Sequence, residues 1–189
     1  MNILTDALPT ELKICGKTCP IKSDFRTWIK VSALMSNHNI DEISALTESL
    51  KLVFFKLPPK LSDAIGAILE FYNPKKIQNT GGGEVSKKRI YDFSYDAELI
   101  YAAFLQQYKL DLCREELHWW QFKTLFDNLT EETQFIKVVG YRSIKLEKIK
   151  DKEQRKFYRK MKELYKLPDN RTQEERERDM VKAFEASFV

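Results

Sequence analysis

The sequence predicts a mainly α protein: a helical bundle with a small N-terminal β-hairpin. Three observations carry that expectation. Apolar residues recur at three- and four-residue steps through most of the chain, the period of one helix face. Bulky side chains concentrate between Asp92 and Ile144. There Tyr95, Leu99, Ile100, Tyr101, Phe104, Leu105 and Tyr108 share one helical pattern, and Leu117, Trp119, Trp120, Phe122, Leu125 and Phe126 the next. Near the start, Leu12 and Ile14 alternate with Glu11 and Lys13, as in a strand, ahead of a turn at Cys15-Gly16-Lys17.

The hairpin is expected to return from Thr18 to Lys22, with Pro20, which lacks an N–H, on an edge. Ser23 or Asp24 would cap a first helix carrying Phe25, Trp28, Ile29 and Leu34, broken at Asn37-His38-Asn39. A second helix, from about Asp41, would turn Ile43, Leu46, Leu50, Val53 and Phe54 inward and stop before Pro58-Pro59. A third would run from about Leu61 to Tyr72 with Leu61, Ile65, Ile68 and Leu69 on one face, ended by Asn73-Pro74. Residues 1–73 are therefore expected as a hairpin with short helices. Residues 74–89, PKKIQNTGGGEVSKKR, lack periodicity and contain three successive glycines, which are costly to order, so they are expected as a flexible linker.

Residues 90–144 form the expected aromatic core. One helix should begin between Asp92 and Asp96 and end near Tyr108. A second should span Arg114 to Leu129, with Glu115 and Glu116 in its first turn. A third should be capped by Thr130, followed by Glu131 and Glu132, and close at Gly140. Burying each large aromatic is worth roughly 1.5–3 kcal/mol, so Ile100, Phe104, Trp120 and Leu125 are expected to hold the fold.

Residues 145–189 complete the chain and are expected to pack with the core as one domain. A long basic helix from Arg142 to Lys166 would carry a narrow apolar stripe of Leu146, Ile149, Phe157, Met161, Leu164 and Tyr165. Leu167-Pro168-Asp169-Asn170 would end it. A last helix from Thr172 would place Met180, Val181, Phe184 and Phe188 on a late apolar face, with Thr172 and Glu175 spaced as a capping box.

Composition narrows the class. At 43% hydrophobic and 12% aromatic, the chain exceeds what a solvated tail needs, which excludes general disorder. A net charge of +4 conceals a local excess: Arg142 to Arg171 holds twelve Lys and Arg against five acids. Arg155, Lys156, Arg159 and Lys160 are therefore candidates for binding a polyanion, although the acidic run from Glu174 to Asp179 would neutralise part of that charge. The longest apolar runs, such as Leu52-Val53-Phe54-Phe55, fall far short of the roughly 20 residues that span a bilayer. Asp6 and Glu11 sit where a signal peptide would be apolar, so the three cysteines are expected in a reducing cytosol.

Motifs for chemistry are weak. Gly16-Lys17-Thr18 ends like a P-loop, but position 11, where the phosphate cradle needs a glycine, is Glu11, so a hairpin turn is expected. No strand precedes Gly81-Gly82-Gly83 and no helix opens after it, so it is not a dinucleotide loop. Cys15, Cys19, His38 and His118 lack the paired Cys-x-x-Cys of a zinc site. Cys113 and His118 are five apart, a spacing that does not share a helix face, so no dyad is expected. Glu115-Glu116 and Glu131-Glu132 are explained by helix starts rather than acid–base work. Trp119, Trp120 and Phe122 could stack bases, yet beside Leu117, Leu125 and Phe126 they are expected in the core, with one tryptophan at a rim. No enzyme, cofactor or metal is expected.

Several strings resemble a known family. Residues 96–104, Asp-Ala-Glu-Leu-Ile-Tyr-Ala-Ala-Phe, are followed by Gln106-Gln107-Tyr108, Leu117-His118-Trp119-Trp120 and Phe122. With Gly140-Tyr141-Arg142-Ser143-Ile144, Leu8-Pro9 and Ser23-Asp24-Phe25-Arg26, they resemble the siphophage family named for gene product fifteen of a Listeria phage, found in phages and prophages of Gram-positive bacteria. The resemblance covers nearly the whole chain.

It implies a place among tail morphogenesis genes, near the tape-measure gene. It also implies a tail assembly chaperone, working in the host bacterial cytoplasm, that keeps the tape-measure protein soluble while tail tube subunits polymerise around it. There is no catalytic motif to transfer. Such a chaperone needs exposed apolar stripes for amphipathic helices, and the expected partner-binding residues are Phe157, Met161, Leu164, Met180, Val181, Phe184 and Phe188. The same stripes could serve self-association or dock on the domain. The alternative function is a basic phage accessory protein that binds nucleic acid.

Overall fold

The computed structural model describes residues 2–73, 89–169 and 177–178 of the 189-residue chain. Among them it is mainly α, with one antiparallel hairpin, as the sequence predicts. Strand β1 (Glu11–Ile14) pairs with β2 (Lys17–Pro20) in the register Glu11↔Pro20 to Ile14↔Lys17. Cys15 and Gly16 form the two-residue turn at φ 49° and 75°. Positive φ at both central residues matches the right-handed twist of the strands. The P-loop-like string is thus a hairpin corner.

The hairpin is fastened at its exit. Ile21 bridges Phe54, and the Lys22 N–H donates to the Val53 carbonyl at 2.8 Å. Next to it, Asp24 bridges His118: the Phe25 N–H donates to the Leu117 carbonyl at 3.0 Å and the Trp119 N–H to the Ser23 carbonyl at 2.7 Å. These short pairings join the first quarter of the chain to its centre.

Helices α1 (Phe25–Met35) and α2 (Glu42–Val53) begin where expected, capped by the Asp24 and Asp41 carboxylates. Helix α3 (Leu61–Tyr72) follows. The buried faces differ from the expected ones. In α2, Ile43 is 77% exposed, while Ala45, Ser49, Leu50 and Val53 are buried. In α3, Leu61 and Leu69 are largely exposed, whereas Ala64, Ile68 and Phe71 are buried. Both helices carry apolar residues around much of their circumference, so spacing alone admits adjacent stripes; the one containing alanine allows the closer approach.

Helix α4 (Ala97–Tyr108) closes in a left-handed Lys109 at φ 57°. Helix α5 (Trp119–Asp127) starts five residues later than expected, because His118 rather than Arg114 heads it. Glu115 and Glu116 lie exposed in the preceding loop. Likewise α6 (Gln134–Ser143) is capped by Thr133, leaving Glu131 and Glu132 in an exposed turn, and Gly140 lies inside it instead of ending it.

The long basic helix expected over Arg142 to Lys166 is not continuous. Arg142 belongs to α6, a 3-10 turn covers Leu146–Lys148, and α7 runs Lys152–Leu164. Asp151 caps α7 by accepting from the Gln154 N–H at 2.7 Å. Two cations hold the break open: Lys162 donates to the Ile144 carbonyl at 2.7 Å, and the Arg155 guanidinium to that of Ile149. The expected linker lies outside the described residues except for Arg89, and the expected C-terminal helix lies outside them except for Glu177 and Arg178, which are helical.

The core is aromatic and centres on α5. Phe122, fully buried, stacks on Phe25 at 4.7 Å and Phe104 at 5.1 Å and also touches Trp119, Phe93 and Phe126. Such ring pairs add about 0.5–1.5 kcal/mol each beyond area burial. Trp28 stacks on Phe71 at 4.6 Å. Trp119 is fully buried and Trp120 partly so, and their indole N–H groups donate to the Tyr72 carbonyl at 3.0 Å and that of Phe71 at 2.8 Å. Both fill carbonyl positions that a helix end leaves unpaired. The tryptophan pair therefore secures α3. Ile100 and Phe104 are buried as expected, while Trp120 and Leu125 pack at the core's margin.

Candidate partner-binding surface

The apolar, basic helix α7 is positioned by a buried ion pair between Asp96 and Arg142. Arg142, 6% exposed, lies on the inward face of α6 with Phe135 and Val138, at steps of three and four. Its guanidinium donates to both oxygens of Asp96, at 2.7 and 2.8 Å, and Asp96 is 1% exposed. Two further bonds reach the Tyr165 carbonyl at 2.6 Å and the Ile90 carbonyl at 3.2 Å. The Asp96 carboxylate also accepts from the Asp92 N–H at 3.0 Å. Asp96 stands at the head of α4, but its side chain is directed to Arg142 and does not cap the helix. One guanidinium thus joins the start of α4, the end of α6, the segment before α4 and the residue after α7.

Tyrosines complete the seat. Tyr141 of α6 stacks on Tyr165 at 5.9 Å, meets Tyr158 at 6.2 Å and meets Phe157 edge-on at 6.3 Å. The half-buried positions of α7 and its exit are Arg155, Tyr158, Met161, Lys162 and Tyr165. The docked face is therefore largely tyrosine and cation stem, with charged heads turned to carbonyls. Of the expected apolar stripe, Met161 and Tyr165 belong to it.

Leu146 and Ile149 are half-buried at the break before α7, and the two remaining members face outward. Phe157 is 50% and Leu164 65% exposed. Met180, Val181, Phe184 and Phe188 lie outside the described residues. Of the expected polyanion-binding residues, Lys156, Arg159 and Lys160 are exposed on the outward side of α7, whereas Arg155 is committed to the Ile149 carbonyl. The structure keeps these three cations together and removes the fourth.

His118 and Cys15, two of the remaining reactive side chains, have structural partners. His118 caps α5: its Nδ1 accepts from the Trp120 N–H at 3.1 Å, and its Nε2 lies 2.9 Å from the Pro9 carbonyl, to which it donates in the neutral form. Burial pushes its pKa below the usual histidine range, against a smaller upward effect of the Pro9 bond. Cys15 donates to the Asp63 carboxylate at 3.1 Å, and that bond raises its thiol pKa, opposite to what a nucleophile needs. Cys19 is buried and Cys113 exposed. Among the described residues, no group of three His, Cys, Asp or Glu could hold a metal ion. An open hollow of about 330 Å³ between α1 and α2 is lined by Met35, His38 and Glu42 among others.

The described part of the chain is a mainly α scaffold closed on aromatic rings, with a cation-edged helix seated on a buried Asp–Arg pair. That scaffold belongs to a phage: the chain is a member of the family described as bacteriophage Gp15 protein, whose sequence model matches residues 4–167. The match includes α7 with Phe157, Met161 and Leu164, and stops short of Met180 to Phe188. Membership suggests a phage structural or morphogenesis protein. No curated protein and no solved structure matches the chain. Among the described residues, no helix is long and apolar enough to cross a membrane.

Proposed function

We propose that the protein is a non-enzymatic tail assembly chaperone of a siphophage, holding the tape-measure protein and tail tube subunits in the host cytoplasm. The observation that carries this reading is the family match over residues 4–167 together with the outward Phe157 and Leu164 that the match contains. A holding chaperone must offer apolar side chains to a partner without relying on them for its own fold. Phe157 and Leu164 meet that requirement, because α7 is seated by Tyr158, Tyr165 and the Arg142 bonds on its other face. Co-expression with the tape-measure protein of the same phage tests it. A soluble complex that co-purifies is expected; an insoluble tape-measure protein with no complex overturns the reading.

A second reading is favoured by Lys156, Arg159 and Lys160, which stand exposed together. It makes the protein a nucleic-acid binder. Titration with DNA and RNA at about 50 and 200 mM salt would then give binding that weakens steeply, as counterion release requires. Absence of binding at the lower salt removes this reading.

A further inference from the structure

Going round α7 from its docked face, at roughly 100° per residue, the next side chains after Met161 are Phe157 and Leu164. Beyond them lie Lys160, Lys156 and Lys152 at four-residue steps, with Arg159 alongside and the carboxylates of Glu153 and Glu163 interspersed, all exposed. Among the described residues, none of these four cations has a carboxylate within ion-pair distance; Glu163 lies 3.7 Å from Lys166 instead. The outward half of α7 is therefore an apolar edge two turns long, bordered by a flank of net positive charge, four cations against two carboxylates.

That combination selects its neighbour. A helix lying along α7 with leucines at i, i+3, i+4 and i+7 would cover Phe157 and Leu164, which are themselves seven residues apart. Carboxylates on the flank nearest the cations would pair with Lys152, Lys156 and Lys160, while a lysine-flanked helix would meet like charge and be repelled. Nucleic acid would use the cations but leave the half-exposed phenyl ring and the leucine uncovered. We propose that the outward face of α7 docks an amphipathic helix whose apolar stripe is flanked by Asp and Glu, and that this is the kind of segment recognised in a partner. The proposal rests on the reading of the chain as a holder of helical proteins and specifies the chemistry of the held segment.

The test uses the full chain and two labelled synthetic helices of about three heptads, with leucines at the a and d positions and either Glu or Lys on the flanks. The Glu-flanked helix is expected to bind and to lose affinity about fivefold between roughly 50 and 200 mM salt. Lys156→Glu with Lys160→Glu should reverse the preference, and Phe157→Ser should abolish binding of both helices, with circular dichroism unchanged because all three positions are exposed. Equal binding of the two helices overturns the proposal, as does binding of neither, which would leave this chain's own C-terminal segment as the better occupant. Displacement of the Glu-flanked helix by a DNA duplex at equal concentration overturns it in favour of nucleic acid. The chaperone reading is judged separately: if the doubly reversed variant still holds the tape-measure protein soluble, that reading stands and this face is not the contact.

Discussion

Breaking the Asp96–Arg142 pair should expose how α7 is held. Both partners are almost fully buried, at 1% and 6% exposure, and two bonds of 2.7 and 2.8 Å join them. Removing one member of a buried pair strands the other, which costs about 3–5 kcal/mol. Asp96→Ala and Arg142→Met are each expected in that range, equivalent to a fall of roughly 6–20 °C in Tm for a chain of this size. The two variants differ in what else they release. Arg142→Met also frees the Tyr165 and Ile90 carbonyls. Hydrogen exchange should therefore accelerate in α7 for Arg142→Met and much less for Asp96→Ala, where the guanidinium keeps those carbonyls. In the double variant the stranded charge is gone, so its cost should fall short of the sum of the singles by about 2 kcal/mol or more. Urea unfolding followed by circular dichroism, run as a double-mutant cycle, measures all three. Single losses under about 1 kcal/mol, or strict additivity, would refute the assignment of this pair as the seat of α7.

Other perturbations separate core, cap and surface. Phe122→Ala, which removes the ring that five others touch, should cost about 3–5 kcal/mol in urea unfolding. Phe157→Ser with Leu164→Ser should change stability by no more than about 0.5 kcal/mol per site while abolishing recovery of the tape-measure protein in co-expression. His118 gives a pH dependence. Its folded pKa is depressed below the ordinary 6.5, so the folded state binds fewer protons, and its contribution is complete above pH 6.5 and declines as pH falls through the folded value. His118→Asn retains an N-cap oxygen, and the difference in stability between wild type and variant should shrink below pH 6.5; a pH-independent difference would contradict the neutral cap. Tyr91, its pKa pushed up to about 12 by burial, has its hydroxyl neutral in the fold and favours folding up to the ordinary 10, a contribution lost as pH rises from there toward 12. Alkaline spectrophotometric titration should show Tyr91 ionising late, with Tyr72, Tyr101 and Tyr108 also delayed beyond the ordinary value.

Much of the fold was legible because helix starts and turns are written in local chemistry. Asp24 and Asp41 stand where they cap, and Cys15-Gly16 sits where a two-residue hairpin must turn. Errors arose where local rules competed. Paired glutamates at 115–116 and 131–132 look like first helical turns, but His118 and Thr133, a few residues on, make the actual caps. Histidine is an uncommon cap, and its choice depends on Pro9, 109 residues away, accepting from the other ring nitrogen. The continuous basic helix failed for a similar reason: Lys162 and Arg155 prefer the carbonyls of a break to a solvated helical surface. At the surface, spacing correctly named Phe157 and Leu164 as apolar residues in excess of the core. It could not tell that the docked face would be tyrosine. One signal was available for the buried pair, since Arg142 falls in step with Phe135 and Val138 where a hydrophobic residue is expected.

The way α5 grips its neighbours has an engineering consequence. The chain leaves α3 at Tyr72, whose ring stacks on Trp119 and whose carbonyl accepts from that indole; it re-enters at Tyr91, whose ring packs on Phe126. Both moorings belong to one short helix, and Arg142 adds a tie at the Ile90 carbonyl. Trp119→Phe, which keeps an aromatic ring but removes the indole N–H, would accordingly loosen the exit at Tyr72 while leaving Tyr91 on Phe126, so the two ends can be released one at a time.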